Sequence, residues 1–134
     1  MRVLVDSNVL FSAIYAKGSI PHQAFIKAVE PPNYCLICEQ SFKELRQAYS
    51  LKFPDKVDAL EQFISFALSS VEVVPVPESK HPDEVRIRDA DDRPILRSAI
   101  NAEADILITG DRDFLDSSVV TPRIMTPAQF VTLP

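Results

Sequence analysis

A chain of 134 residues, 46% hydrophobic and 25% charged, has the size and composition of a soluble globular domain that buries a core without disulfide or metal staples. Its net charge of −5 argues against a nucleic-acid coating protein, which would carry a basic surface, but not against an enzyme whose acids gather around cations. Gly18 and Gly110 are the only glycines, which excludes both a P-loop and a Gly-x-Gly-x-x-Gly dinucleotide fingerprint.

Arg2 to Asp6 is a short apolar run closed by an acid, the pattern of a buried parallel strand. It meets Asp6 too early for a signal peptide, and no apolar run approaches the roughly 20 residues of a membrane span, so a cytoplasmic protein is expected. Ser7 to Ile14 places Val9, Leu10, Ala13 and Ile14 on one helical face, and Gly18 breaks the pattern. A second helix is expected to begin near Pro21, with Ala24, Phe25, Ala28 and Val29 as its apolar stripe, and to stop at Pro31-Pro32.

Tyr34 to Cys38 reads as the second strand. Cys35 and Cys38 form a Cys-x-x-Cys, yet residues three apart on a strand face opposite sides, and His22 and His81 fit no zinc module. Two buried core thiols are expected instead. Phe42, Leu45 and Tyr49 predict a helix from Gln40 to about Leu51, and Val57, Leu60, Phe63, Ile64 and Ala67 predict another from about Asp55 to Leu68.

Val71 to Val74 is a third strand. Pro75 to Asp92, polar and rich in proline, reads as a surface loop with a short extended piece around Val85 and Ile87. Arg93 or Pro94 opens a helix carrying Ile95, Leu96, Ala99 and Ile100. Asp105 to Thr109 is the strongest strand and is closed by Gly110-Asp111. Arg123 to Met125 is a last short strand, after which Thr126 caps a turn beginning at Pro127. Without repeats or a linker, residues 1–134 are expected to form a single domain. Strands alternating with helices predict a three-layer α/β/α sandwich on a mostly parallel sheet.

In such a sheet ligands bind beyond the carboxyl ends of the strands, where strand order reverses. Asp6 ends the first strand and Asp111 follows the strongest one; if these strands are neighbours, their carboxylates converge. Asp92 then enters from a helix start, and Glu44 from one turn into the helix after the second strand. Taken singly, each acid has a simpler role: Asp6 and Asp92 as helix caps, Glu44 as a solvated acid, Asp111 as a turn residue. Taken together they would repel one another, and a hard divalent cation with oxygen ligands, Mg²⁺ or Mn²⁺, relieves that repulsion.

Val3-Leu4-Val5-Asp6-Ser7-Asn8, Glu44-Leu45, Asp92 ahead of Pro94-Ile95-Leu96, and Ile108-Thr109-Gly110-Asp111-Arg112-Asp113-Phe114 resemble, in order and spacing, the PIN-domain family. The resemblance implies a metal-dependent ribonuclease, as in the toxins of VapBC-type toxin–antitoxin pairs. It implies that Asp6, Glu44, Asp92 and Asp111 are catalytic acids and metal ligands, with Asn8, Thr109 and Asp113 in support. Asp91 is the alternative to Asp92, and Glu39 competes with Glu44. Arg86, Arg88, Arg93, Arg97 and Arg112 surround the motifs and are candidate contacts to the RNA backbone, each equally readable as a surface charge. A small antitoxin and a homodimer are expected from the family.

Neither histidine falls in a motif, so attack by water held on the metal is expected, leaving a 5′-phosphate and a 3′-hydroxyl. Two rivals remain. An aspartate-based phosphatase or phosphotransferase of the haloacid-dehalogenase type would place a second Asp where Asn8 stands. A catalytically silent binding module of the same fold would keep the acids for structural reasons.

Overall fold

Five strands, β1 (Arg2–Val5), β2 (Tyr34–Cys38), β3 (Glu72–Val74), β4 (Ile106–Ile108) and β5 (Arg123–Met125), form one parallel sheet in the order β3-β2-β1-β4-β5. The computed structural model describes residues 1–134. Strand order reverses between β1 and β4, so the chain leaves a crevice at their carboxyl ends, where open α/β sheets bind ligands.

Register decides what meets at that crevice. Val5 pairs with Ile108, so the next residues, Asp6 and Thr109, leave the sheet side by side. The Asp6 N–H donates to Ile108 O at 3.0 Å and the Thr109 N–H to Met125 O at 3.0 Å.

The sheet is covered on both faces, as its unbroken apolar strands require. Val3, Val5, Cys35, Ile37, Ile106, Ile108 and Met125 pack against α1 (Ser7–Tyr15), α2 (Ile20–Val29), α3 (Glu39–Lys52), α4 (Val57–Ser70) and α7 (Pro127–Val131). Leu4, Leu36, Cys38, Val74 and Leu107 face the other way, against α5 (Arg93–Asn101), α6 (Arg112–Leu115) and Ile87. The two cysteines therefore lie in opposite layers, both reduced and buried, and burial pushes the Cys35 thiol up to about 12.

Local signals set the helix ends. Asp6, Ser19 and Thr126 cap α1, α2 and α7, and Gln129 completes a capping box at α7. Lys27 on α2 reaches Phe130 O in α7 at 2.7 Å and Leu133 O just beyond it at 2.6 Å, which locks these two helices together.

The extended piece expected around Val85 and Ile87 is instead a 3-10 helix over Pro82–Arg86. His81 accepts from the Asp83 N–H at 3.0 Å while Glu84 accepts from the His81 N–H at 2.9 Å, a capping box that curls the chain. Val85 is thereby turned to solvent and Ile87 into the core. Glu84, itself buried, takes a two-point ion pair from Arg97 on α5 at 2.8 and 2.9 Å, and Arg97 also donates to Pro77 O at 2.9 Å. This clamp fastens the 75–92 segment to α5, the helix that Asp92 precedes.

The Arg97 guanidinium holds the Glu84 carboxyl down at about 2, below its ordinary 4.5. A depressed pKa contributes stability that is complete above the unfolded value and is lost as pH falls through the folded one. Glu84→Gln is therefore expected to lower Tm by several degrees at pH 7. The gap to wild type should close between about pH 4.5 and 2 in thermal melts followed by circular dichroism; a gap independent of pH would show that the ion pair is not its cause.

Candidate metal centre

Asp6 is the fixed point of the carboxyl edge. One of its oxygens accepts from the Ser7 N–H at 2.8 Å; the other accepts from Asn8 Nδ2 at 3.1 Å and from the Thr109 hydroxyl at 2.8 Å. Thr109, fully buried, also accepts from the Asp111 N–H at 3.0 Å and from Asn8 Nδ2 at 3.2 Å. Asn8 completes the link by accepting from the Gly110 N–H at 3.0 Å. The loops after β1 and β4 are thus tied together through side chains, and of the three residues expected in support, Asn8 and Thr109 lie in the tie while Asp113 does not.

Asp111 follows this tie and caps α6, accepting from the Asp113 N–H at 2.9 Å. Glu44 comes in from α3, half-buried, with weak contacts to Ser7 Oγ at 3.4 Å and Gln40 Nε2 at 3.5 Å. Asp92 closes a short 3-10 turn, Ala90–Asp92, directly before α5, and caps nothing. Its carboxyl instead meets that of Asp111. Asp91 points to solvent, so of the two candidates Asp92 is the one that faces the other acids.

The electrostatics record this crowding. Burial, with the charges of Glu44 and Asp111, pushes Asp6 up to about 6, against the opposing hydrogen bonds from Thr109 and Ser7. Burial, contact with Asp111, and the charges of Asp89 and Asp6 push Asp92 up to about 8. Burial also raises Glu44. Near neutral pH the site by itself keeps a proton on Asp92. A set of hard oxygen donors that resist ionising together fits a divalent cation such as Mg²⁺ or Mn²⁺, whose charge would take the place of that proton.

A second grouping was not anticipated. Oxygens of Asp89, Asp92 and Asp113 lie within 4.8 Å of one another. In a 3-10 turn, residues three apart eclipse, which sets Asp89 above Asp92 and turns Asp91 away. The Asp-Ala-Asp-Asp spacing held that signal, but only once the turn type is known.

The arginines divide. Arg88 pairs with Asp113, Arg112 with Asp116 at 2.8 Å, and Arg86 donates to Ser118 Oγ at 2.7 Å. All three remain exposed beside the acids. Arg93 donates to Ile87 O at 2.9 Å. Arg97, a candidate RNA contact from sequence, is consumed by Glu84 and Pro77 O and is a structural cation instead.

Residues 2–113 match the family model described as the PIN domain. No curated protein matches the chain. Among solved structures, a chain of VapBC2 from Rickettsia felis, bound to a DNA fragment from their promoter, aligns with a TM-score of 0.71 at 16% identity, covering 94% of this chain and 98% of that one. A toxin–antitoxin complex from Klebsiella pneumoniae aligns with a TM-score of 0.66 at 22% identity, covering 93% and 97%. DNA-bound VapBC from Salmonella typhimurium gives 0.68 at 15%, covering 95% and 98%. At these identities the likeness speaks for the fold.

An acid whose pKa is raised by folding contributes stability below its unfolded value and loses it as pH rises through the folded value. The metal-free protein should therefore lose stability between pH 4 and pH 8 through Asp92. Asp92→Asn is expected to melt higher than wild type at pH 8.5 in the presence of a chelator, and no higher at pH 5. Equal melting at pH 8.5 would mean that the carboxylates do not repel one another as the geometry implies.

Proposed function

Because the chain belongs to the PIN-domain family, we propose that it is a divalent-metal-dependent endoribonuclease, the toxin of a type II toxin–antitoxin pair. The observation that carries this reading is the convergence of Asp6, Glu44, Asp92 and Asp111 at the strand-order reversal, with Asp6 and Asp92 held far above the ordinary range of a carboxyl. These four acids are the proposed catalytic and metal-binding residues. Asp113, with Asp89 beside it, stands behind Asp92 as an outer carboxylate.

Bound there, Mg²⁺ or Mn²⁺ supplies a Lewis acid for a phosphoryl oxygen and a water of lowered pKa. The protein's own part is positional. Thr109 and Asn8 keep the Asp6 carboxylate aimed, and Asp92, raised by burial and by its contact with Asp111, would ionise where a cation is held. No imidazole is present to activate a ribose 2′-hydroxyl. His22 accepts from the Gly18 N–H at 3.2 Å, and His81 caps the 3-10 helix over Pro82–Arg86. Hydrolysis to 5′-phosphate and 3′-hydroxyl ends follows.

Exposed Arg86, Arg88 and Arg112 are the proposed phosphate contacts, with Arg93 nearer the core. The aspartate-phosphatase alternative loses ground because Asn8 spends its amide on Asp6, Thr109 and Gly110. The VapBC likeness supports a small antitoxin as partner; a homodimer and a cytoplasmic location are proposed from the family alone. No helix is long and apolar enough to cross a membrane.

The test is cleavage of end-labelled RNA by metal-stripped protein, with and without Mn²⁺ or Mg²⁺. Cutting is expected only with metal, to be abolished by Asp6→Asn, and to fall about 10–100-fold in Thr109→Val, which removes one support of Asp6. Products ending in 2′,3′-cyclic phosphate would overturn the mechanism. A wild type that neither cuts RNA nor binds Mn²⁺ would return the chain to the binding-module reading.

A further inference from the structure

A cavity that Glu44 alone of the four acids lines runs away from the carboxyl edge. It is a groove of about 340 Å³ between α1 and α3, within the size range of small-molecule sites. Helical spacing builds it. Ser7 and Phe11 form one row on α1, four residues apart, and Glu44, Ala48 and Lys52 form the facing row on α3. Leu45, buried, is the floor. Ala48 is small where its row could have closed the groove. At one end Ser7 Oγ contacts Glu44 at 3.4 Å; at the other, about 12 Å along the helix by its rise per residue, stands Lys52.

The wall is aromatic and braced. Phe11 lies 4.9 Å from Tyr49 and 5.9 Å from Phe53, ring centre to ring centre. Lys52 Nζ sits 5.5 Å from the centre of the Phe11 ring and takes part in no ion pair of the molecule. Lys52 thus stands exposed over the Phe11 ring at the end of the groove away from Glu44, and Lys56 lies over the neighbouring Tyr15 and Phe53 rings.

Resting on the ribonuclease reading, we propose that this groove is a nucleotide subsite: it takes the base beside the scissile phosphate against Phe11, Leu45 and Ala48, and the next phosphate on Lys52. The order of its chemistry, from acid through aromatic wall to ammonium, matches the order phosphate, base, phosphate along an RNA strand. An apolar peptide would match the middle and leave Ser7, Glu44 and Lys52 without partners. Stacking on an aromatic side chain accepts any base, so the subsite strengthens binding beside the cut without choosing a sequence.

Steady-state cleavage of a short single-stranded RNA with Mn²⁺ tests this, using Ala48→Met, which fills the groove with a helix-compatible side chain, and Lys52→Ala at its exposed end. Both variants are expected to raise KM about tenfold with a smaller change in kcat. Lys52→Ala should also flatten the salt dependence of RNA binding by about 0.7 in log–log slope, the signature of one lost phosphate contact on a single strand. An RNA lacking the base beside the cut should cost wild type the same factor and cost Ala48→Met nothing further. Wild-type KM in both variants and indifference to the missing base would overturn the subsite, leave the ribonuclease standing, and assign the groove to a protein segment. If Ala48→Met fails to fold, Lys52→Ala decides alone. Absence of any metal-dependent cutting by wild type would overturn the ribonuclease reading itself, and the subsite with it.

Discussion

Asp6 is held on three sides, by the Ser7 N–H, the Asn8 amide and the Thr109 hydroxyl, while the charges of Glu44 and Asp111 press on it. Neutral hydrogen bonds offset only part of what burial and like charges cost, and Asp6 settles near 6. Burial, contact with Asp111 and the charges of Asp89 and Asp6 push Asp92 up to about 8. At neutral pH the edge therefore keeps a proton that a divalent cation, if held there, would replace. Two of the acids keep a conventional task besides: Asp6 caps α1 and Asp111 caps α6. The helix caps fix the carboxylates in place, and the crowding gives them their chemistry.

Holding like charges together requires a frame that does not yield. Here the frame is the unbroken apolar centre of the sheet, with Val3, Leu4, Val5, Leu107 and Ile108 inaccessible to solvent and packed on both faces. The carboxyl edge gives up stability that the core supplies, a common division between scaffold and site. The Glu84–Arg97 clamp extends the frame to the segment without strands, and Asp92 is placed by it as much as by α5.

The two flanks of the site are chemically unlike. On the α5 and α6 side, exposed arginines stand among acids that already pair with them, which suits loose, exchangeable phosphate contacts. On the α1 and α3 side, an aromatic wall and the exposed Lys52 would suit the proposed stacked base. A strand crossing the edge from one flank to the other would pass the four carboxylates midway.

Much of this was legible in the residues. Strands ending in Asp6 and Asp111, the helix carrying Glu44, the Thr126 cap and the two buried thiols all follow from apolar periodicity and capping chemistry, which act over a few neighbouring positions. Those local rules also place each acid at the end of its element, so that any parallel sheet brings them to the same edge. What the residues alone left open was long-range. Neighbouring of β1 and β4, and the register that sets Asp6 beside Thr109, depend on how the whole sheet is ordered. The choice of Asp92 over Asp91, and the entry of Asp89, depend on a 3-10 turn tied down by contacts from α5. Arg97 looked like its exposed neighbours until Glu84, thirteen positions earlier in the chain, turned out to be buried against it. Periodicity and caps are written along the chain, because their partners are a turn away; pairing across the fold is not, because its partners are chosen only when the layers close.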